Sequence, residues 1–185
     1  MLEGLYNGAG TMRRAYDAFG QHWLDGSADH ITVELHSSTT YATIVFAATD
    51  VPLSTNGTAS ITTVPYGLNG SYYITIRHRT SIETTIAVPV SFGGSTINYA
   101  YDLPSKVFGN NLILMVGPGS HYAIFGGDVN QNGLVESFDM TPIDNLSSAF
   151  GYDFNVDVNS DGLIDSRDMT IVDNNNAAFV SSILP

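Results

Sequence analysis

The last third of this chain repeats itself. Asp128-Val-Asn-Gln-Asn-Gly-Leu-Val-Glu-Ser-Phe-Asp139 returns as Asp157-Val-Asn-Ser-Asp-Gly-Leu-Ile-Asp-Ser-Arg-Asp168, 29 residues on (157 minus 128). The match runs past these stretches. Asp139-Met140-Thr141 recurs as Asp168-Met169-Thr170, Ile143-Asp144-Asn145 as Val172-Asp173-Asn174, and Ala149-Phe150 as Ala178-Phe179. A repeat held over that length constrains the fold before any other feature does.

Each copy has the chemistry of a calcium loop. Calcium takes about 6–8 oxygen ligands, and a twelve-residue loop can supply them from positions 1, 3, 5, 9 and 12 and from the carbonyl at 7. The first copy offers Asp128, Asn130, Asn132, the Leu134 carbonyl, Glu136 and Asp139. The second offers Asp157, Asn159, Asp161, the Leu163 carbonyl, Asp165 and Asp168. Gly133 and Gly162 stand at position 6, where the chain turns sharply. Val135 and Ile164, at position 8, point into a small core between the loops. All donors are oxygen and the chain has no cysteine, which disfavours zinc and softer metals. Asp/Asn/Gly turns on an ordinary surface would also look like this. Two copies with every oxygen position filled favour two Ca2+ ions. The asparagines at positions 3 and 5 lower the ligand charge of the first loop, so its site is expected to be the weaker.

Two features depart from the common EF-hand pattern. Position 12 is Asp, and Tyr122-Ala-Ile-Phe125, ahead of the first loop, reads as a strand. Both fit a variant: the tail resembles a dockerin type I module, whose paired loops have the form D-x-N-x-[DN]-G with Asp at position 12, each followed by a short helix. The resemblance covers about a third of the chain. It implies calcium binding, and it implies docking of an extracellular enzyme or surface protein onto a cohesin-like partner. In that family positions 10 and 11 help choose the partner. Here they are Ser137-Phe138 and Ser166-Arg167.

Charge follows the repeats. Residues 124–185 hold ten acids and one base, net −9, and residues 1–123 hold eight acids and five bases, net −3. The carboxylates of the tail would repel one another without cations, so its folding should be linked to metal. An acidic chain without a basic patch is a poor candidate for binding nucleic acid, so no nucleic-acid partner is expected. No apolar run approaches a membrane span. Leu2-Glu3-Gly4 has no leader character, yet calcium loops suit an extracellular setting. The expectation is a piece of a longer exported bacterial protein, placed outside the cell or on its surface.

The rest reads as β. Residues 1–28 open on a glycine-rich flexible stretch, with one or two helical turns across Thr11–Phe19. Strands are expected at Ile31–His36, Tyr41–Phe46, Ala59–Val64, Ser71–Arg79, Ile82–Phe92 (bent at Pro89), Thr96–Tyr101, Leu112–Val116 and His121–Phe125. In the clearest, Tyr72, Ile74, Ile76 and His78 share one face, and Tyr73, Thr75, Arg77 and Arg79 the other. The Arg77/Arg79 face is expected to be solvated. Short strands separated by turn signals predict a β-sandwich, immunoglobulin-like or prealbumin-like. The expected division is a mainly β module at 1–125 and a small α, dockerin-like domain at 126–185, joined through Gly126-Gly127. Leu2–Gly8 through Thr11-Met12, Ser71–Arg79 and Tyr122–Asn130 together resemble the C-terminal modules of large secreted or surface bacterial proteins, in which a β-rich domain leads into dockerin-like repeats. After each loop, Met140, Ile143, Leu146 and Phe150, and Met169, Val172, Phe179 and Val180, are expected to pack against the partner repeat.

No catalytic constellation stands out. The five histidines are scattered, there is no G-x-S-x-G, and Glu34, Glu83 and Asp102 cannot be paired from sequence. The first expectation is therefore a non-enzymatic attachment or assembly module. The alternative is a carbohydrate-binding module that meets polysaccharide through its ten tyrosines and Trp23, with structural calcium; an exposed aromatic row would favour it and buried tyrosines would count against it. A structural spacer is the third.

Overall fold

A computed structural model describes residues 1–94 and 96–185. It is β-rich, with nine strands and two α-helices among the described residues. β1 (Tyr16–Asp17) and β2 (Gly20–Gln21) form a minimal hairpin. β3 (Asp29–Ser37), β4 (Ile44–Leu53), β5 (Ser71–His78), β6 (Ser81–Thr85) and β7 (Val90–Ser91) form an antiparallel five-stranded sheet, ordered β4-β3-β5-β6, with β7 continuing along β5 past the end of β6. β8 (Ile113–Met115) and β9 (His121–Ala123) pair separately. α1 (Ser137–Ser148) and α2 (Ser166–Ala177) follow the two loops.

Register explains the two faces of the sheet. Ile74 and Ile76 stand opposite Leu35 and Val33, and with the buried Ile31 and Ile82 they make its apolar side. Glu34 opposes Thr75, which opposes Thr85, so the other side is polar. Tyr41 covers that side: its hydroxyl bonds Thr75, Thr85 and Glu83 at 2.7–2.9 Å. Pro52 lies on the edge strand β4, where a missing N–H costs no ladder bond.

Three local expectations are corrected. Ala59–Val64 is in no strand: the alternation of Ala59 and Ile61 breaks at Val64, and the run is largely exposed. Thr96–Tyr101 alternates as a strand would, yet side chains hold it instead of a ladder: the hydroxyls of Tyr99 and Tyr101 donate to the Lys106 and Ile74 carbonyls, each at 2.7 Å. The N-terminal stretch has no helix and is not loose. Leu2, Leu5, Met12 and Ala15 are buried, Leu2 bridges Ile124, and the Glu3 carboxylate accepts from Gly126 N and Asn175 Nδ2 at 2.8 and 2.7 Å.

The core is continuous along the chain. Leu2, Val33, Ile82, Ile124, Val135, Ile143, Val158 and Val172 belong to one buried cluster, so it runs through the Gly126-Gly127 joint. Ile143 and Val172 are fully buried, as the helical stripes predict, and Met140, Leu146 and Met169 pack against them. Phe150 and Phe179 do not: they are 99% and 90% exposed. Each follows its helix in the left-handed conformation (φ 51° and 55°), and that turn swings the ring outward.

Candidate metal centre

Both loops are built by the same hydrogen bonds. Position 1 accepts from the amides of positions 5 and 6: Asp128 from Asn132 and Gly133 (3.1 and 3.0 Å), Asp157 from Asp161 and Gly162 (3.2 and 2.9 Å). Position 12 accepts from positions 3 and 9: Asp139 from Asn130 and Glu136 (3.0 and 2.9 Å), Asp168 from Asn159 and Asp165 (2.9 and 3.0 Å). The bond to position 9 is one half of a capping box, so position 12 of each loop is also the N3 residue that helps cap the start of its helix. Gly133 and Gly162 have φ of 84° and 88°, the left-handed region that the turn demands. Val135 and Ile164 are buried at position 8.

The carboxylates at the two ends of each loop sit out of water beside each other. Burial pushes Asp128 up to about 6, with the Asp139 charge adding to it and the amide bonds opposing it. Asp157 is likewise pushed up to about 6 by burial, with Asp168 adding. Asp139 and Asp168 are raised for the same first reason. A bound cation would reverse that penalty.

Asn159 fits such a cation. It is 3% exposed, its amide N–H donates to Asp168, and its side-chain Oδ1 has no hydrogen-bond donor. A buried carbonyl oxygen without a donor is costly unless something else satisfies it. At position 3 of an oxygen-lined loop, a hard cation would satisfy it. Its counterpart Asn130 is exposed, and its Oδ1 accepts from Asn132 N at 2.9 Å. Asn132 and Asp161 likewise cap Leu134 N and Leu163 N. Arg167 donates to Asp161 at 3.0 Å from a solvated position.

Ser137, Phe138, Ser166 and Arg167 are all exposed, Phe138 by 69%. The two repeats thus present unlike surfaces, an apolar ring at 138 and a guanidinium at 167.

Three arrangements outside the loops depend on register and long-range contacts that the sequence pattern does not carry. The first is Glu34, His36 and Glu83, whose ligand atoms lie within 4.8 Å of one another. Arg77 already stands between the carboxylates, Nε 3.0 Å from Glu34 and Nη2 2.6 Å from Glu83, while His36 Nδ1 meets the Tyr41 carbonyl at 2.7 Å. With that guanidinium in place, the two carboxylates already share a cation. The second is a chain of Ser81, His78 and Asp29, at 3.1 Å each. It has the residue types of a hydrolytic triad, but Ser81, which would be the nucleophile, is only 2% exposed, and only Asp29 and His78 of the three line the neighbouring cavity.

The third is Arg79. The sequence places it on a solvated face with Arg77, but the strand ends at His78 and Arg79 turns to the tail. Its side chain is 13% exposed. It donates to the carbonyls of Phe154 and Asp157, to Ser160 Oγ and to Asp29 Oδ2, and its Cζ lies 3.7 Å from the centre of the Phe154 ring. An open cavity of about 510 Å³ lies beside it, lined by Trp23, His30, Asp50, Arg77, Gln131 and Phe154 among others.

The tyrosines form no exposed aromatic row. Only Tyr16 and Tyr66 are exposed, and the other eight are buried or partly so. No described helix is long and apolar enough to cross a membrane. No protein-family model matches this chain, and no curated protein or solved structure does either.

Proposed function

We propose that residues 126–185 are a two-calcium, dockerin-like unit and that residues 1–125 are a β-sandwich module fused to it. The pair serves attachment or assembly of a larger secreted or surface protein. Calcium is held by Asp128, Asn130, Asn132, Leu134, Glu136 and Asp139 in the first loop, and by Asp157, Asn159, Asp161, Leu163, Asp165 and Asp168 in the second. The observation that carries this reading is the Asn159 oxygen, buried without a donor in a loop of acceptors. The exposed face at Ser137-Phe138 and Ser166-Arg167 is where a cohesin-like partner would dock.

Terbium, a luminescent stand-in for calcium, tests the metal reading. Tyr152 donates its hydroxyl to Asp157 at 3.2 Å, so its ring can sensitise an ion in the second loop. Tyrosine-excited terbium emission that calcium displaces, and that Tyr152→Phe weakens, is the expected result. Emission that persists in an Asp157→Ala, Asp168→Ala double variant would sink the assignment. The partner reading is tested with a purified cohesin domain on a biosensor: binding should need calcium and fail in Phe138→Ser.

A further inference from the structure

The β5–β6 turn holds both loops, but by different means: Gly127 N, just ahead of the first loop, donates to the Thr80 carbonyl at 2.7 Å. On the first-loop side, Gln131 donates from an exposed side chain to the Arg79 and Ser81 carbonyls at 3.1 and 3.4 Å. On the second-loop side, the Arg79 guanidinium holds the backbone of Phe154 and Asp157 and the fully buried Ser160 hydroxyl. Asp157 is the first ligand position of that loop and Ser160 its fourth residue. The loop therefore cannot change shape without moving the carbonyls and hydroxyl that Arg79 holds.

The other end of Arg79 is equally fixed. Asp29 Oδ2 accepts from it at 3.0 Å and from His78 Nε2 at 3.1 Å, while Asp29 Oδ1 accepts from Trp23 Nε1 at 2.8 Å. Phe154 lies between the Arg79 guanidinium and the His22 ring, which stacks on it at 3.7 Å, and Trp23 meets it edge-on at 6.4 Å. The route from the loop to the only tryptophan of the chain has two arms: Asp157–Arg79–Asp29–Trp23 through hydrogen bonds, and Phe154–Trp23 through the rings.

We propose that Arg79 is a positioning residue that latches the second loop to the sheet, so that cation occupancy of this loop, and not of the first, is transmitted to the Trp23 cluster. This rests on the calcium reading of the loops and adds a direction to it. One loop regulates how firmly the tail is seated against the sheet, and the other is free to serve the surface.

The test uses the full chain, chelated and then titrated with calcium. Trp23 emission and calorimetric heat are read on the same samples. Wild type should show a saturable emission change that survives Asp128→Ala and is lost in Asp157→Ala. Arg79→Met should still bind calcium by calorimetry while the Trp23 response is lost. Should Arg79→Met fail to fold, Phe154→Leu decides, since it keeps the Arg79–Asp29 pair and removes the ring: the response should shrink, and a full wild-type response would overturn the latch. Two bound ions with no Trp23 change, or a change kept in Asp157→Ala or Arg79→Met, would also overturn it. No bound ion at all would defeat the calcium reading beneath it.

Discussion

The two repeats share a sequence and a hydrogen-bond scheme, yet they live in different surroundings. Residues 157–160 of the second loop are all buried, whereas residues 130–132 of the first are exposed. Behind the second loop lie the N-terminal segment and the sheet: Tyr16 N donates to the Ser160 carbonyl at 3.0 Å, Gly4 packs on the Val158 carbonyl, and Arg79 takes the rest. Behind the first lie the end of the chain, through Val135 N to the Val180 carbonyl and Ser182 N to the Gly133 carbonyl at 3.0 and 2.7 Å, and the β5–β6 turn, through the exposed Gln131 and through Gly127 N to the Thr80 carbonyl. A repeat fixes local bonding, and tertiary contacts decide how stiff each copy is. Stiffness is what distinguishes a structural cation site from an exchanging one.

The comparison is broken most forcefully by taking the cation away. A site filled at about a thousandfold over its dissociation constant stabilises a fold by about 4 kcal/mol. Chelation should therefore lower the melting temperature sharply. Asp157→Ala should remove more of the calcium-dependent rise than Asp128→Ala, and the surviving first site should be the weaker by titration. Equal affinities in the two single variants would refute the asymmetry.

Glycine substitutions sharpen the same contrast at smaller scale. Gly133→Ala and Gly162→Ala both place a side chain at positive φ, at a cost of about 1–2 kcal/mol. At Gly133 the added Cβ meets only the Ser182 side chain, at 3.5 and 3.6 Å, whereas at Gly162 it meets the Asp17 carbonyl at 2.8 Å. Gly162→Ala should lose about 1–3 kcal/mol more than Gly133→Ala in urea denaturation with calcium present. Equal losses would mean that the N-terminal segment does not back the second loop.

The acid titration of metal-free protein gives a third contrast. A carboxyl whose pKa is higher folded than unfolded stabilises the fold below its unfolded pKa and loses that contribution as pH rises through the folded value. Asp128 and Asp157, both pushed up to about 6, should thus weaken the chelated protein between about pH 4 and 7. Asp128→Asn and Asp157→Asn should each flatten that fall, and calcium should abolish it. His78, held below its usual pKa by burial, acts in the opposite sense but equally in all these proteins. Curves that coincide for the three proteins would show that the loop carboxylates carry no such strain.

Phe138→Ser should do least. The ring is exposed, so stability should change by less than about 0.5 kcal/mol and calcium binding not at all. Only partner binding should suffer.

The sequence was most legible where bonding is local. The loops, the helices that start at Ser137 and Ser166, the strand ahead of the first loop and the two faces of β5 all follow from period and turn chemistry. It was least legible where one residue depends on a distant one. Thr96–Tyr101 has the alternation of a strand, but its tyrosines spend their hydroxyls on Lys106 and Ile74. Thr11–Phe19 reads as helical turns, but burial of Met12 and Ala15 in the shared core sets its path instead. Arg79 follows the period of β5 in sequence and departs from it because the strand stops at His78. Phe150 and Phe179 continue the helical stripe in sequence, yet the left-handed turn after each helix takes them out of it.

The most direct test of the central claim is a calorimetric calcium titration of chelator-treated protein. Two ions per chain, the tighter lost in Asp157→Ala and the weaker in Asp128→Ala, is the result expected here. No binding at millimolar calcium would contradict it and leave the repeats as paired Asp/Asn turns.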